Sequence, residues 1–228
     1  MLELFTVRME PMSASVLRRL VEQVTPERRR RYERFRIEAD AVRSLFAELV
    51  VRRIVRERYS ISNEAIQFRA NSYGKPELVY PAELHFNVSH SGNWVVCAIS
   101  DGPVGIDIEQ IQPIDMEVSR RFFSPAEHAQ LIALPMEEQL NRFYELWTLK
   151  ESFVKAVGMG LSMPLDSFSF TYDQVDAGGI LLQAPSPYEH YSGEILAFDA
   201  AYKLAVCFSK VKEQQFHTIH SWSTTDWA

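Results

Sequence analysis

Cysteine is nearly absent from this 228-residue chain, with Cys97 and Cys207 the only two. Each lies in an apolar run, Val95-Val96-Cys97-Ala98 and Ala205-Val206-Cys207-Phe208, so buried reduced thiols are expected rather than a disulfide framework. A chain of this length buries roughly 70% of its unfolded surface and needs no covalent staple. No uninterrupted apolar run approaches the ~20 residues of a membrane-spanning helix. The segment Met1–Arg8 lacks a basic start followed by an apolar core. It reads as a short strand, not a secretory signal, and the cytoplasm is the expected location. Positive charge is also in deficit: 24 Lys and Arg stand against 30 Asp and Glu, a net charge of −6. That balance disfavours general binding of duplex nucleic acid, which requires a basic face. With 46% hydrophobic and 24% charged residues, the chain is neither disordered nor fibrous.

The patterns that are present fall into two similar series. Thr25-Pro26-Glu27-Arg28 has the cap-then-proline form of a helix start. A long helix is predicted over 39–58, with Val42, Leu45, Phe46 and Leu49 as its apolar stripe and Arg43, Glu48 and Arg52 off it. Strand patterns follow at Ile66–Arg69, His85–Ser89 and Trp94–Ile99, with turns at Tyr73–Pro76 and Ser91–Asn93. Asp101-Gly102-Pro103 interrupts the chain before Val104–Glu109 alternates again. Ser124-Pro125-Ala126-Glu127 then repeats the helix start, and a second long helix is predicted over 137–157. Strand patterns follow at Phe168–Thr171 and Tyr202–Phe208, the latter similar to Trp94–Ser100. The expected architecture is α+β, a pseudo-dimer of two similar halves, 1–103 and 104–228, with the ligand cleft between them. Residues 211–228 are polar with scattered aromatics and suggest no element.

Several residues carry candidate chemistry. Alternation places Val104, Ile106 and Ile108 on one strand face and Gly105, Asp107 and Glu109 on the other. Two carboxylates on one face are either a solvated strand edge or oxygen ligands for a hard cation such as magnesium. Trp147, Glu151 and Lys155 recur every four residues and share a helix face. They add a third carboxylate and a cation, a set that suits a metal–phosphate site; a surface Glu–Lys pair is the plainer reading. Ser89-His90-Ser91-Gly92 reads as a polar turn able to hold phosphate, with a Ser–His nucleophile pair as its rival. The basic run Arg28–Arg36 fits a solvated helix face, a nucleic-acid patch or a pocket for a small polyanion.

Taken together, the motifs resemble the 4′-phosphopantetheinyl transferases of the Sfp type. They are Tyr73-Gly74-Lys75-Pro76, Phe86-Asn87-Val88-Ser89-His90-Ser91-Gly92, Gly105-Ile106-Asp107-Ile108-Glu109, Arg121-Phe122-Phe123-Ser124 and Trp147-x-x-Lys150-Glu151-Ser152-Phe153-x-Lys155. The resemblance implies a monomeric pseudo-dimer with coenzyme A in its cleft. It implies transfer of phosphopantetheine to a serine of an apo carrier protein, with adenosine 3′,5′-bisphosphate released. Asp107, Glu109 and Glu151 would then hold magnesium, or manganese. His90 and Lys155 would bind phosphate groups, and Glu151 would also serve as the base. Tyr73, Gly74, Lys75 and Pro76 would flank the adenine, with Ser89 in the same pocket. Arg28 and Arg31 match positions used for the 3′-phosphate, and Arg43 and Ser44 match positions near the nucleotide end. Glu127 would assist as a further acid. The expected partners are carrier domains of nonribosomal peptide, polyketide or fatty-acid synthases. Ile111–Met116 would either meet the carrier helix or be buried within this chain, and Arg120 and Arg121 would steer the carrier. Neither a nucleic acid nor a membrane is an expected partner. The alternative is a non-catalytic coenzyme A or nucleotide-binding module of the same fold.

Overall fold

The computed structural model describes residues 1–172, 179–210 and 216–227. The first half opens with strand β1 (Leu2–Arg8) and helices α1 (Ala14–Val21), α2 (Pro26–Arg34) and α3 (Glu38–Tyr59). A short hairpin of β2 (Phe68–Ala70) and β3 (Pro76–Leu78) follows, then β4 (His85–Ser91) and β5 (Trp94–Ser100). The second half runs from β6 (Val104–Gln110) through α4 (Glu117–Phe122), α5 (Pro125–Ile132) and α6 (Met136–Val157). Strands β7 (Ser169–Tyr172), β8 (Ile180–Gln183), β9 (Tyr191–Leu196) and β10 (Tyr202–Ser209) complete it, and β11 (Phe216–Ser223) comes last.

The two halves share one plan. The first sheet contains β1-β5-β4 and the second β6-β10-β9, so in each the late strand lies between the early one and an antiparallel neighbour. A 22-residue helix covers each sheet: α3 packs on β4 and β5, and α6 on β6, β9 and β10. The similar segments around Cys97 and Cys207 are the two middle strands. Both thiols are buried, and burial pushes both pKa values up. The strand alternation read from the sequence decides the layering. Val95, Cys97 and Ile99 face α3, whereas Val96 and Ala98 join Ile106, Ile108, Leu204 and Val206 in the layer between the sheets. Apolar area removed from water on three levels supplies the main stabilisation, at roughly 25 cal/mol per Å².

The polar tail departs from its expected place in the second half. β11 pairs in parallel with β1, so the end of the chain returns to the first sheet, where Trp222 and Trp227 meet edge to face and both rings contact the Arg53 guanidinium. Residues 211–215 and 228 of that tail lie outside the described residues. The polar turn expected at Ser89–Gly92 is also shorter than the sequence suggests. Ser89, His90 and Ser91 remain in the strand, paired with Val96, Val95 and Trp94, and only Gly92 and Asn93 turn. Gly92 sits at φ +52°, where a Cβ would meet the Tyr202 hydroxyl at 2.2 Å. Among the described residues no helix is long and apolar enough to cross a membrane.

Candidate active site

Strand β4 divides two clefts. On one side, a cleft of about 390 Å³ is lined by Arg28, Arg31, Gly74, Pro76 and His90, among others. On the other, an open cleft of about 380 Å³ is lined by Ser89, His90, Asp107, Glu109, Trp147, Glu151 and Lys155. His90 and Val88 line both. The expected residues from the two halves therefore meet, with β4 and α2 on one side of the chain boundary and β6 and α6 on the other.

Each wall has a local cause. Thr25 caps α2, its hydroxyl accepting from Arg28 N at 3.2 Å. The buried Glu48 then holds that cap by accepting from Thr25 N at 2.7 Å and Thr25 Oγ1 at 3.0 Å. Its other partners are Arg52 at 2.8 Å and Arg28 Nε at 3.5 Å. Ser44, Glu48 and Arg52, four residues apart, thus form a buried polar stripe on α3 that aims Arg28 at the cleft. On the opposite side, Gly105 lets α6 approach β6 closely. A Cβ there would lie 2.0 Å from Ser152 O and 2.4 Å from Ala156 N. This approach brings Lys155 Nζ to 2.5 Å from Asp107 Oδ1.

The acidic cleft is short of positive charge. Burial and then Asp107 push Glu109 up to about 7, and the same two causes raise Glu151. Asp107 is 2% exposed, and its Oδ2 has no hydrogen-bond partner among the described residues. No three His, Cys, Asp or Glu side chains among the described residues converge closely enough to ligate one ion. Instead, Asp107 Oδ1 accepts from Lys155 and Ser89, and Glu109 accepts from Ser91 at 3.0 Å. The donor set still suits a hard divalent cation: three carboxylates share one cleft, one oxygen is orphaned and buried, and a single lysine opposes them. At His90, desolvation followed by the charges of Arg43, Lys155 and Arg31 lowers the imidazole pKa.

Other expected residues act differently. Lys75 does not face a base pocket with its ammonium, which donates to Val104 O at 3.1 Å and Ala156 O at 3.4 Å. Burial pushes its pKa down to about 8 against the opposing pull of Glu77. Asn71 beside it donates to Gly158 O at 3.0 Å, so this loop caps the end of α6. Tyr73 at its tip is 52% exposed. Ser44 is buried beneath Arg28 and accepts from its Nη1 at 3.2 Å. Arg43 pairs with Asp40 and donates to Gly92 O at 2.7 Å, tying α3 to the hairpin tip. The Ser–His nucleophile reading fails because adjacent β4 residues face opposite ways and the Ser89 hydroxyl donates to Asp107 at 2.8 Å.

Glu127 does not act as an acid in the cleft. It is 1% exposed, caps α5, accepts from Phe170 N at 2.8 Å and pairs with the fully buried Lys150 at 2.7 Å. It locks α5, α6 and β7 together and does not line the cleft. Ile111, Ile114 and Met116 likewise pack on the second core, and Tyr144 holds their loop through Gln112 O. Sequence reasoning missed Glu48 and Asn87. Their signals were polar positions repeating at helical and strand spacing.

Known protein families match both halves of the chain. Residues 103–207 match the 4′-phosphopantetheinyl transferase superfamily, and residues 10–101 match the N-terminal 4′-phosphopantetheinyl transferase family. The chain is 40% identical over 197 residues to 4′-phosphopantetheinyl transferase Sfp of Bacillus subtilis (strain 168), covering 86% of this chain and 87% of that protein. It is 39% identical over 216 residues to 4′-phosphopantetheinyl transferase psf-1 of Bacillus pumilus, covering 92% and 91%. A third relative, 4′-phosphopantetheinyl transferase gsp of Aneurinibacillus migulanus, is 39% identical over 194 residues, covering 84% and 80%. With both halves matched and the cleft formed between them, the chain belongs to the 4′-phosphopantetheinyl transferase superfamily.

Proposed function

We propose that this chain transfers the 4′-phosphopantetheine group of coenzyme A to a serine hydroxyl of an apo carrier protein and releases adenosine 3′,5′-bisphosphate. One observation carries this reading: Asp107, Glu109, Glu151 and Lys155 of the second half share a cleft with Ser89 and His90 of the first. The adjoining cleft takes the nucleotide, with Arg28 and Arg31 for the 3′-phosphate and Gly74 and Pro76 beside the adenine. His90 borders both clefts and meets the phosphates between them.

In the transfer, the carrier serine oxygen attacks the phosphorus that bears pantetheine, and the bond from that phosphorus to the adenosine bisphosphate oxygen breaks. Glu151, whose proton affinity burial and Asp107 raise, accepts the hydroxyl proton. Lys155 offsets negative charge on the phosphates. Magnesium, or manganese with the same oxygen preference, would be held by Asp107, Glu109 and Glu151 and would polarise the phosphate oxygens. An apolar cleft beside Glu151 and Lys155, lined by Phe122, Val154, Met163 and Leu165, offers a wall to the uncharged pantetheine arm.

The partners are peptidyl, polyketide or acyl carrier domains. The exposed Arg120 and Arg121 on α4 would steer an acidic carrier, and reversing both charges should slow its association. Because one chain supplies both walls, the protein is expected to act as a monomer. The direct test is intact-mass spectrometry of an apo peptidyl carrier incubated with the protein, coenzyme A and magnesium. A gain of one phosphopantetheine, lost with EDTA and with a carrier Ser→Ala variant, is expected. Coenzyme A binding with no gain on any carrier class would point to a non-catalytic binding module.

A further inference from the structure

Strands β4 and β6 are edge strands of different sheets, yet they lie against one another. No backbone ladder joins them. An edge strand whose backbone groups are buried needs partners from somewhere. Here two backbone N–H groups of β6, those of Ile106 and Gln110, find them in the side chains of Asn87 and Ser91, and Ser89 between them bonds the side chains of Asp107 and Lys155. Asn87 Oδ1 accepts from Ile106 N at 2.8 Å. Ser89 Oγ donates to Asp107 Oδ1 at 2.8 Å and accepts from Lys155 Nζ at 3.1 Å. Ser91 Oγ accepts from Gln110 N at 3.1 Å and donates to Glu109 Oε2 at 3.0 Å.

We propose that Asn87, Ser89 and Ser91 are positioning residues, a side-chain ladder that replaces the missing backbone ladder and holds Asp107 and Glu109 in the cleft. The spacing explains the arrangement. Residues two apart on β4 face the same way and advance at the same rise as residues two apart on β6. Each rung therefore meets the next turn of the pleat. The first rung fixes the register through Ile106, and the next two convert that register into the placement of two carboxylates. Each serine grips one acid and one further group, so neither carboxylate can turn without breaking a bond to the other half. Short polar side chains are required, since a longer one would push the strands apart. The seam between the halves and the geometry of the acids are thereby one structure. The part concerning metal affinity rests on the reading of Asp107 and Glu109 as ligands.

Two readouts on the full chain separate that dependence. Amide hydrogen exchange reports the ladder itself. Asn87→Ala should speed exchange at Ile106 and Ser91→Ala at Gln110, each at its own rung. Manganese titration of the purified protein reports the consequence. Ser91→Ala should weaken binding by about tenfold, as loss of an outer partner of a ligand does, and Ser91→Thr should restore it. Asn71→Ala, which breaks a seam contact to Gly158 O that does not touch the acids, should leave manganese affinity unchanged. Unchanged exchange at Ile106 and Gln110 in the variants overturns the ladder. Equal loss of manganese affinity in Asn71→Ala and Ser91→Ala overturns the positioning role. Absence of manganese binding by the unaltered protein overturns the metal reading, and the exchange rates still decide whether the ladder exists.

Discussion

Adding one methyl group at Gly105 should damage the chemistry more than the fold. The Cβ of Gly105→Ala would lie 2.0 Å from Ser152 O, against an ordinary contact of 3.4 Å, so α6 and β6 must separate by about 1.4 Å. The obstructing atoms are helix backbone, which cannot swing aside as a side-chain tip can. Overpacking of this kind costs roughly 1–3 kcal/mol. In a chain of this length that lowers Tm by roughly 2–12 °C, leaving a folded protein. The same displacement carries Glu151 and Lys155 away from Asp107, and a misplacement of about 1 Å costs on the order of a hundredfold in rate. The assay is kcat for carrier modification, read by intact mass, beside a thermal melt. A folded Gly105→Ala protein with kcat within a factor of two of the unaltered chain would refute the claim that this contact sets the site.

Three further outcomes follow from the same geometry. Glu127→Ala strands the buried Lys150 charge and should cost about 3–5 kcal/mol, seen as a lower denaturation midpoint; lost turnover with an unchanged midpoint would put Glu127 back in the chemistry. Lys75 sheds its proton at about 8 in the folded chain and at its ordinary 10.5 when unfolded, so its desolvation cost stands in full below pH 8. Stability from this group should rise between those values by up to about 3 kcal/mol, and Lys75→Met should remove that rise in denaturant titrations; an unaltered slope would count against the burial. Coenzyme A binding should raise the His90 pKa in an NMR titration, because an anion against the ring reverses the effect of Arg43 and Lys155; no change would remove His90 from the phosphate site.

The periodic parts of this protein were readable in its sequence. Apolar alternation in Val104–Glu109 put Asp107 and Glu109 on the face toward α6, and four-residue spacing put Glu151 and Lys155 on the face toward β6. The similar runs around Cys97 and Cys207 revealed the repeated halves because both are buried middle strands under the same packing demand. Long-range pairing was not readable. Nothing local in the tail announces that β11 joins β1 more than two hundred positions away in sequence. Charged residues misled for a related reason. Glu48 and Arg52 look like solvent-facing positions on α3, and only the arrival of Thr25 and Asn63 gives them buried partners. Lys75 lies in a motif that suggests a nucleotide contact, but its side chain is long enough to reach the carbonyls at the end of α6.

Asp107 is where the halves, the lysine and the acids meet, and Asp107→Ala tests the account most directly. The measurement is the intact mass of an apo carrier after incubation with the folded variant, coenzyme A and magnesium, with coenzyme A binding followed in parallel. The account predicts an unmodified carrier while coenzyme A remains bound through the Arg28 and Arg31 cleft. Substantial magnesium-dependent gain of phosphopantetheine by the Asp107→Ala protein would contradict it.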